Sequence, residues 1–276
     1  MKKQIVIILL LILMDRSFAV AAETSTVVLT ASRPVNSLLG ETLTYKISFL
    51  WFDKIARGEI HLEAGKKNGT YLATLTAKTL GITAFFTSNR IETYTTLMEE
   101  GPGGLLRPLL QTSDTQKTKR GKVTHRETSY TFDFSAHRVT YRKRINGVDE
   151  QGTVLPMDKN KPAYDFLTAF YNLRLKRLGA IEVGHDIKLA AFSRKGPEEI
   201  VISRLSASEQ KKLNFSDKLL LCRVVMAPET FGTKSRDVYV GFDAQVRPQF
   251  AIVKNVIGLG DVRGLLIQST EPKLKQ

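Results

Sequence analysis

The chain has 276 residues, 42% of them apolar and 25% charged, and its 41 lysines and arginines outnumber 27 aspartates and glutamates for a formal charge of +14. That length buries a substantial core in one large β domain or two small ones without cross-links, and a single cysteine excludes an intramolecular disulfide. The basic excess points to anionic partners.

The first element is a leader. Lys2 and Lys3 precede an unbroken apolar run from Ile5 to Met14, Asp15 and Arg16 close it, and Ala19-Val20-Ala21-Ala22 supplies small residues for cleavage. This is the pattern of a secretory signal peptide over 1–22, too short to span a bilayer. Cleavage near Ala22 or Glu23 leaves 38 of the 41 basic and 26 of the 27 acidic side chains, a charge of +12. The expected location is the periplasm, with no transmembrane segment after cleavage and no cysteine at the cleavage site for a lipid anchor.

From there the apolar residues recur with a period of two. Tyr45, Ile47, Phe49 and Trp51 alternate with Thr44, Lys46 and Ser48, and Ile60, Leu62 and Ala64 alternate with Glu59, His61 and Glu63, which predicts half-buried strands. Asn68-Gly69 and Asn146-Gly147 are hairpin dipeptides between strand-like runs. Further strands are expected over Thr70 to Leu80, Leu109 to Thr118, Lys122 to Phe134, Arg138 to Ile145 and Gly152 to Pro156. Then the period changes. Phe166, Leu167, Phe170, Tyr171 and Leu173 have helical spacing, Pro162 stands at a first-turn position, and Gly179 follows the end. Asp165 near the start and Arg174, Lys176 and Arg177 near the end complement the dipole of a helix over about 162–178. Strands resume over Asp186 to Phe192, Glu198 to Ser206, Lys218 to Met226, Ser235 to Phe242, Phe250 to Val256 and Val262 to Gln268.

So many strands cannot lie flat without exposing edges and an apolar face. The expected fold is therefore mainly β: a large curved antiparallel sheet, or a partly open barrel, wrapping around one central α-helix. Residues 23–276 form a single β-rich domain, with N-terminal strands over about 40–156, C-terminal strands over about 185–268, and Met157 to Lys161 as the link.

Chemistry-bearing patterns are sparse. His61, His125, His137 and His185 lack zinc-ligand spacing from one another and from Cys222, so no metal and no cofactor are expected. No Gly-x-Ser-x-Gly elbow occurs, and Cys222 sits in the apolar run Leu219 to Val225, where core packing is its expected role. Glu99-Glu100 and Glu198-Glu199 are adjacent on extended chain and point to opposite sides, which does not build a shared acid and base. Gly101-Pro102-Gly103-Gly104 reads as a turn. The expectation is a protein that is not an enzyme.

Basic residues concentrate at Lys117, Lys119, Arg120, Lys122 and Arg126, then at Arg138, Arg142, Lys143 and Arg144. On a hairpin of those two strands Arg138, Arg142 and Arg144 share a face, and the cations of the partner strand are expected beside them as a patch for an anionic partner. Export argues against nucleic acid and for acidic lipid head groups or another anionic envelope component.

Three groups of residues, taken in order, resemble a known family. Gly40-Glu41-Thr42-Leu43-Thr44-Tyr45 with Ile55-Ala56-Arg57-Gly58, Tyr164 to Arg174, and Val238-Tyr239-Val240-Gly241-Phe242-Asp243 with Arg247-Pro248 look like the bacterial family catalogued as domain of unknown function 3108. The resemblance covers nearly all of the chain after the leader. It implies an exported, mainly β protein of Gram-negative bacteria with no assigned activity, and it carries over no catalytic residues.

Two functions of different class follow as expectations. One is a periplasmic binding or carrier module whose concave face, lined by Tyr45, Phe49, Trp51, Phe166, Phe170 and Tyr171, shelters an apolar or lipid-like anionic ligand. The other is a structural or assembly partner in envelope biogenesis, docking on an envelope protein through a strand edge or the basic hairpin.

Overall fold

A computed structural model describes residues 32–49, 52–80, 89–119, 121–193, 196–212, 219–227, 234–256 and 260–270. The expected leader over 1–22 lies outside the described residues. Sixteen strands form one sheet. In chain order they are β1 (Thr42–Phe49), β2 (Phe52–Ala64), β3 (Thr70–Thr79), β4 (Ile91–Glu100), β5 (Leu106–Lys119), β6 (Lys122–Asp133), β7 (Arg138–Ile145), β8 (Val148–Asp149) and β9 (Thr153–Pro156). After these come β10 (Ala163–Tyr164), β11 (Ile187–Ser193), β12 (Gly196–Arg204), β13 (Leu220–Val225), β14 (Asp237–Phe242), β15 (Pro248–Val256) and β16 (Gly260–Thr270). Two helices interrupt them, α1 (Phe166–Arg174) and α2 (Ala207–Lys212).

Consecutive strands pair antiparallel from β1 through β8 and again from β11 through β16, while β9 returns to pair with β7. The two runs are joined not at the 157–161 link but by β16 pairing with β1. The far ends of this long sheet then approach each other through side chains. Phe132 of β6 and Phe192 of β11 meet edge to face at 6.2 Å, and Val139, Leu155, Met157 and Ala163 are buried with them. The sheet is thus mainly β, strongly curled and partly open around one helix, as its alternation predicts.

Turn chemistry fixes the register of the hairpins. Asn146 and Gly147 both adopt positive φ, 49° and 83°, between β7 and β8, the geometry a two-residue hairpin demands.

Three strands and one helix were not legible. β8 and β10 are two residues long and α2 has one and a half turns, too short for any period to register. β4 is long, and its omission has a chemical cause taken up below. The helix is also shorter than its punctuation predicts. Pro162 is not its first turn, because Ala163 and Tyr164 pair in parallel with Ala190 and Ala191 as β10. Asp165 is the N-cap. At the far end the helix already closes at Lys176, which takes a left-handed turn with φ 58°, its N–H bonding to Leu173 O while Arg177 N–H reaches Asn172 O, and Gly179, with φ 86°, makes a second such turn beyond it.

Candidate functional site

Seven of the nine residues of helix α1 are buried and Phe166 and Phe170 are half-buried, and its two faces do different work. Its polar face is a docking surface. Asp165 Oδ1 accepts from the N–H groups of Leu167 (2.8 Å) and Thr168 (3.2 Å) and from Thr96 Oγ1 of β4 (2.8 Å), and Oδ2 accepts from Thr168 Oγ1 at 2.5 Å. Two turns later Asn172 pairs with the backbone of Leu106 on β5, donating to its carbonyl and accepting from its N–H, both at 2.8 Å. Arg174 reaches the residue just before β1 through a two-pronged pair with Glu41, Nη1 to Oε2 and Nη2 to Oε1 each at 2.9 Å, and both side chains are buried. Every bond orients the helix against β1, β4 and β5, so its other face is left to the interior.

That interior is a cavity of about 830 Å³. Phe166, Leu167, Ala169, Phe170 and Leu173 of the helix form its floor, Tyr45, Ile47, Ile60 and Leu75 one wall, and Ile202, Val224, Val240 and Val253 the other. Below the floor the barrel is plugged by Val35, Leu38, Leu62, Tyr171 and Leu175, with Arg33 N–H on Leu175 O at 2.9 Å. The walls run up to strand ends at the opposite rim: Thr79 closes β3, Lys117 nears the end of β5, Val256 closes β15 and Val262 lies near the start of β16. The space is closed off at the helix, and its described lining extends to the strand ends at that rim.

Polar groups among the lining are few and gather at one side of the mouth. Arg90 forms an ion pair with Glu92, which also accepts from Thr115 Oγ1 at 3.5 Å, and Arg90 Nε is shut from solvent without an acceptor. The Arg90 carbonyl takes both the N–H and the hydroxyl of Thr79, each at 3.1 Å, which anchors this corner to β3. Lys117 stands beside them. Withdrawal of water, then the Arg90 charge, lower its ammonium from its ordinary value, Glu92 opposes them, and Arg126 adds to the lowering. Deep in the wall, Tyr45 donates to Pro248 O at 3.1 Å, and burial pushes its phenol up.

Of the aromatic residues expected at a ligand face, Tyr45, Phe166 and Phe170 line the cavity. Tyr171 turns away into the plug. Phe49 is half-buried at the rim and stacks on Phe52 at 5.3 Å, and Trp51 lies outside the described residues.

The basic hairpin requires a correction. Arg138, Arg142 and Arg144 do share a face of β7, but the register sets Asp133, Ser129 and Glu127 of β6 opposite them, not the cations. Arg138 pairs with Asp133 at 3.3 Å, Arg144 with Asp149 at 2.8 Å, and Lys143, on the other face, with Glu150 at 2.7 Å. Arg126 falls on the other face, with Lys122 at the start of the same strand, Lys119 at the end of β5, and Arg120 outside the described residues. The expected stack of like charges is an alternation of opposite ones.

Among the described residues one trio of metal-ligand types is brought together across strands, where sequence spacing cannot show it. Asp114, His125 and Glu127 place their ligand atoms within 4.8 Å of one another on β5 and β6. His125 Nε2 and Asp114 Oδ1 already bond to each other at 2.7 Å, and Arg144 faces Glu127 at 3.9 Å, so positive charge is in place beside it. Cys222 is buried, and burial pushes its thiol up to about 12. Among the described residues no helix is long and apolar enough to cross a membrane.

Comparison with known proteins gives a family and a fold. The family model described as "Protein of unknown function (DUF3108)" matches residues 44–256. Among solved structures, the crystal structure of a beta-barrel-like protein of domain of unknown function DUF1849 from Brucella abortus superposes with a TM-score of 0.50 at 9% identity, covering 86% of this chain and 99% of that one. No curated protein matches the chain.

Proposed function

We propose that this chain, which belongs to the DUF3108 family, is an exported periplasmic protein that holds an apolar or lipid-like anionic ligand in the space between helix and sheet and does not transform it. The observation that carries this reading is the blind, carbon-lined cavity of about 830 Å³. Its size falls in the upper part of the ~300–1,000 Å³ range of small-molecule sites.

Energetics support an occupant. Apolar wall left in contact with water forfeits about 25 cal/mol for every Å² that an apolar occupant would cover. Water fills such a space poorly, because carbon walls offer it too few of the hydrogen bonds it requires. An acyl chain fits both its shape and its chemistry, and a helix pinned by buried polar bonds on its far side keeps the floor open when the ligand leaves.

The test is to purify the protein from the periplasm, extract it with organic solvent and identify acyl species by mass spectrometry. A near-equimolar lipid is expected, and the purified chain should begin near Ala22 or Glu23. Lipid-free extracts together with no saturable uptake of the neutral probe N-phenyl-1-naphthylamine would overturn the reading.

A second reading, docking on an envelope protein through a strand edge, draws on the end of the sheet at β8 and β9. There Val148 and Val154 are 70% and 61% exposed. Replacing both with threonine is expected to weaken such docking without changing probe uptake.

A further inference from the structure

The cavity lining is asymmetric in charge, and the asymmetry falls where a ligand's end would emerge. Met226, Val256 and Val262 make one side of the mouth apolar, and Arg90, Glu92 and Lys117 make the other polar. Register shows why these groups converge. Glu92 of β4 lies opposite Thr115 of β5, and Thr115 opposite Arg126 of β6, so Glu92, Thr115, Lys117 and Arg126 project from one face of three adjacent strands.

Three cations therefore stand around one carboxylate, and that carboxylate is already taken by Arg90 and Thr115. Lys117 has no hydrogen-bond or ion-pair partner among the described residues, although it feels Arg90 and Arg126 as like charges. Arg90 keeps its Nε–H without an acceptor. Two like charges held together beside an apolar shaft are a cost to the empty protein and a gain to one bound to an anion. A neutral core residue would seal the rim better.

We propose that Lys117 and Arg90 form a head-group site for the anionic end of a linear amphiphile whose chain lies in the cavity. This rests on the carrier reading and adds to it the orientation, chain inward and anion at the β3–β5 side of the mouth, and the requirement for negative charge. Arg90 is the fixed member, held by Glu92 and by its carbonyl on Thr79, and Lys117 is the free one. Arg126, exposed and one strand further out, adds attraction without contact. A carboxylate or a phosphate monoester satisfies this chemistry alike.

The experiment titrates the purified protein with cis-parinaric acid and with its methyl ester, which share one fluorescent chain and differ only at the head. The acid is expected to bind at least about tenfold more tightly, the scale of one charge-assisted hydrogen bond in a partly desolvated site. Lys117→Met, which keeps the stem and removes the charge, is expected to lose that preference by weakening binding of the acid at least about tenfold more than binding of the ester, and Lys117→Arg to retain it. Equal affinity for acid and ester, or an unchanged preference in Lys117→Met, overturns the head-group site and leaves the carrier reading standing. Failure of both probes to bind sinks the carrier reading itself. Palmitate and lysophosphatidate, competed against the ester, separate the two sources: stronger displacement by either identifies the head, and displacement by neither overturns the proposal.

Discussion

Arg174 and Glu41 lie 133 positions apart and meet in the core as the most deeply buried ion pair among the described residues. Sequence could place Arg174 at the helix end, where it suits the dipole, but nothing in a one-dimensional pattern names a partner so far away. Its side chain is 1% exposed, and its Nε has no acceptor. Removing the arginine leaves a buried carboxylate without its counter-charge. Arg174→Met is therefore expected to cost about 3–5 kcal/mol in urea unfolding, and the double variant Arg174→Met, Glu41→Leu to recover most of it, because paired charges repay their desolvation only narrowly. Cys222 shows the opposite case, a residue whose environment sequence did disclose. Its apolar run becomes β13, and a thiol pushed up to about 12 is almost wholly protonated at neutral pH. A colourless result with a thiol-disulfide reagent at pH 8, turning to one equivalent on unfolding, is the expected outcome.

Helix α1 and strand β4 explain each other. Along β4 the residues facing inward are Glu92, Tyr94, Thr96 and Met98, and two of those four are polar because they serve the rim and the helix cap. An inward face that is half polar has no apolar period of two, so the strand was invisible to a pattern built on carbon. The helix was visible because its cavity face is carbon throughout, whereas nothing in the sequence pattern marks Asp165, Thr168 and Asn172 of its other face as buried, which they are in the fold. Asp165 carries a testable pH signature. Burial raises its carboxyl above the ordinary value, and four donors, two hydroxyls and two backbone N–H groups, work against that rise. When a folded acid titrates higher than the unfolded one, the native state holds more protons in the window between the two values. Stability then falls as pH rises from about 4 through the folded value, and the loss is complete above it. Urea midpoints across that window should slope downward for the native protein, and the slope contributed by this group should vanish in Asp165→Asn. Asp165→Ala, which orphans the cap and two threonine hydroxyls, is expected to lose about 2–4 kcal/mol at neutral pH.

The curled sheet as a whole follows from simple constraints: strands with one apolar face, short hairpin turns, and a single helix available to cover them. Sequence carried the architecture that far and stopped at closure, since the β1 and β16 pairing and the meeting of Phe132 with Phe192 are long-range contacts that leave no local trace. It also could not show volume. A core and a carrier use the same valines and leucines, and they differ in whether the opposed faces touch. That difference is measurable as a trade-off between stability and uptake. Ala77 and Ala251 line opposite walls of the cavity, on β3 and β15. Ala77→Leu with Ala251→Leu adds carbon to a space that lacks it, and cavity filling is expected to add about 1 kcal/mol per site, a rise of roughly 2–4 °C in Tm for each. In a protein selected only to be a stable scaffold that change is harmless. In a carrier it shortens the shaft, so probe affinity should fall at least tenfold while the protein becomes harder to melt. A variant that gains stability and still takes up N-phenyl-1-naphthylamine as before would show that the cavity is a packing fault and not the place where the protein works.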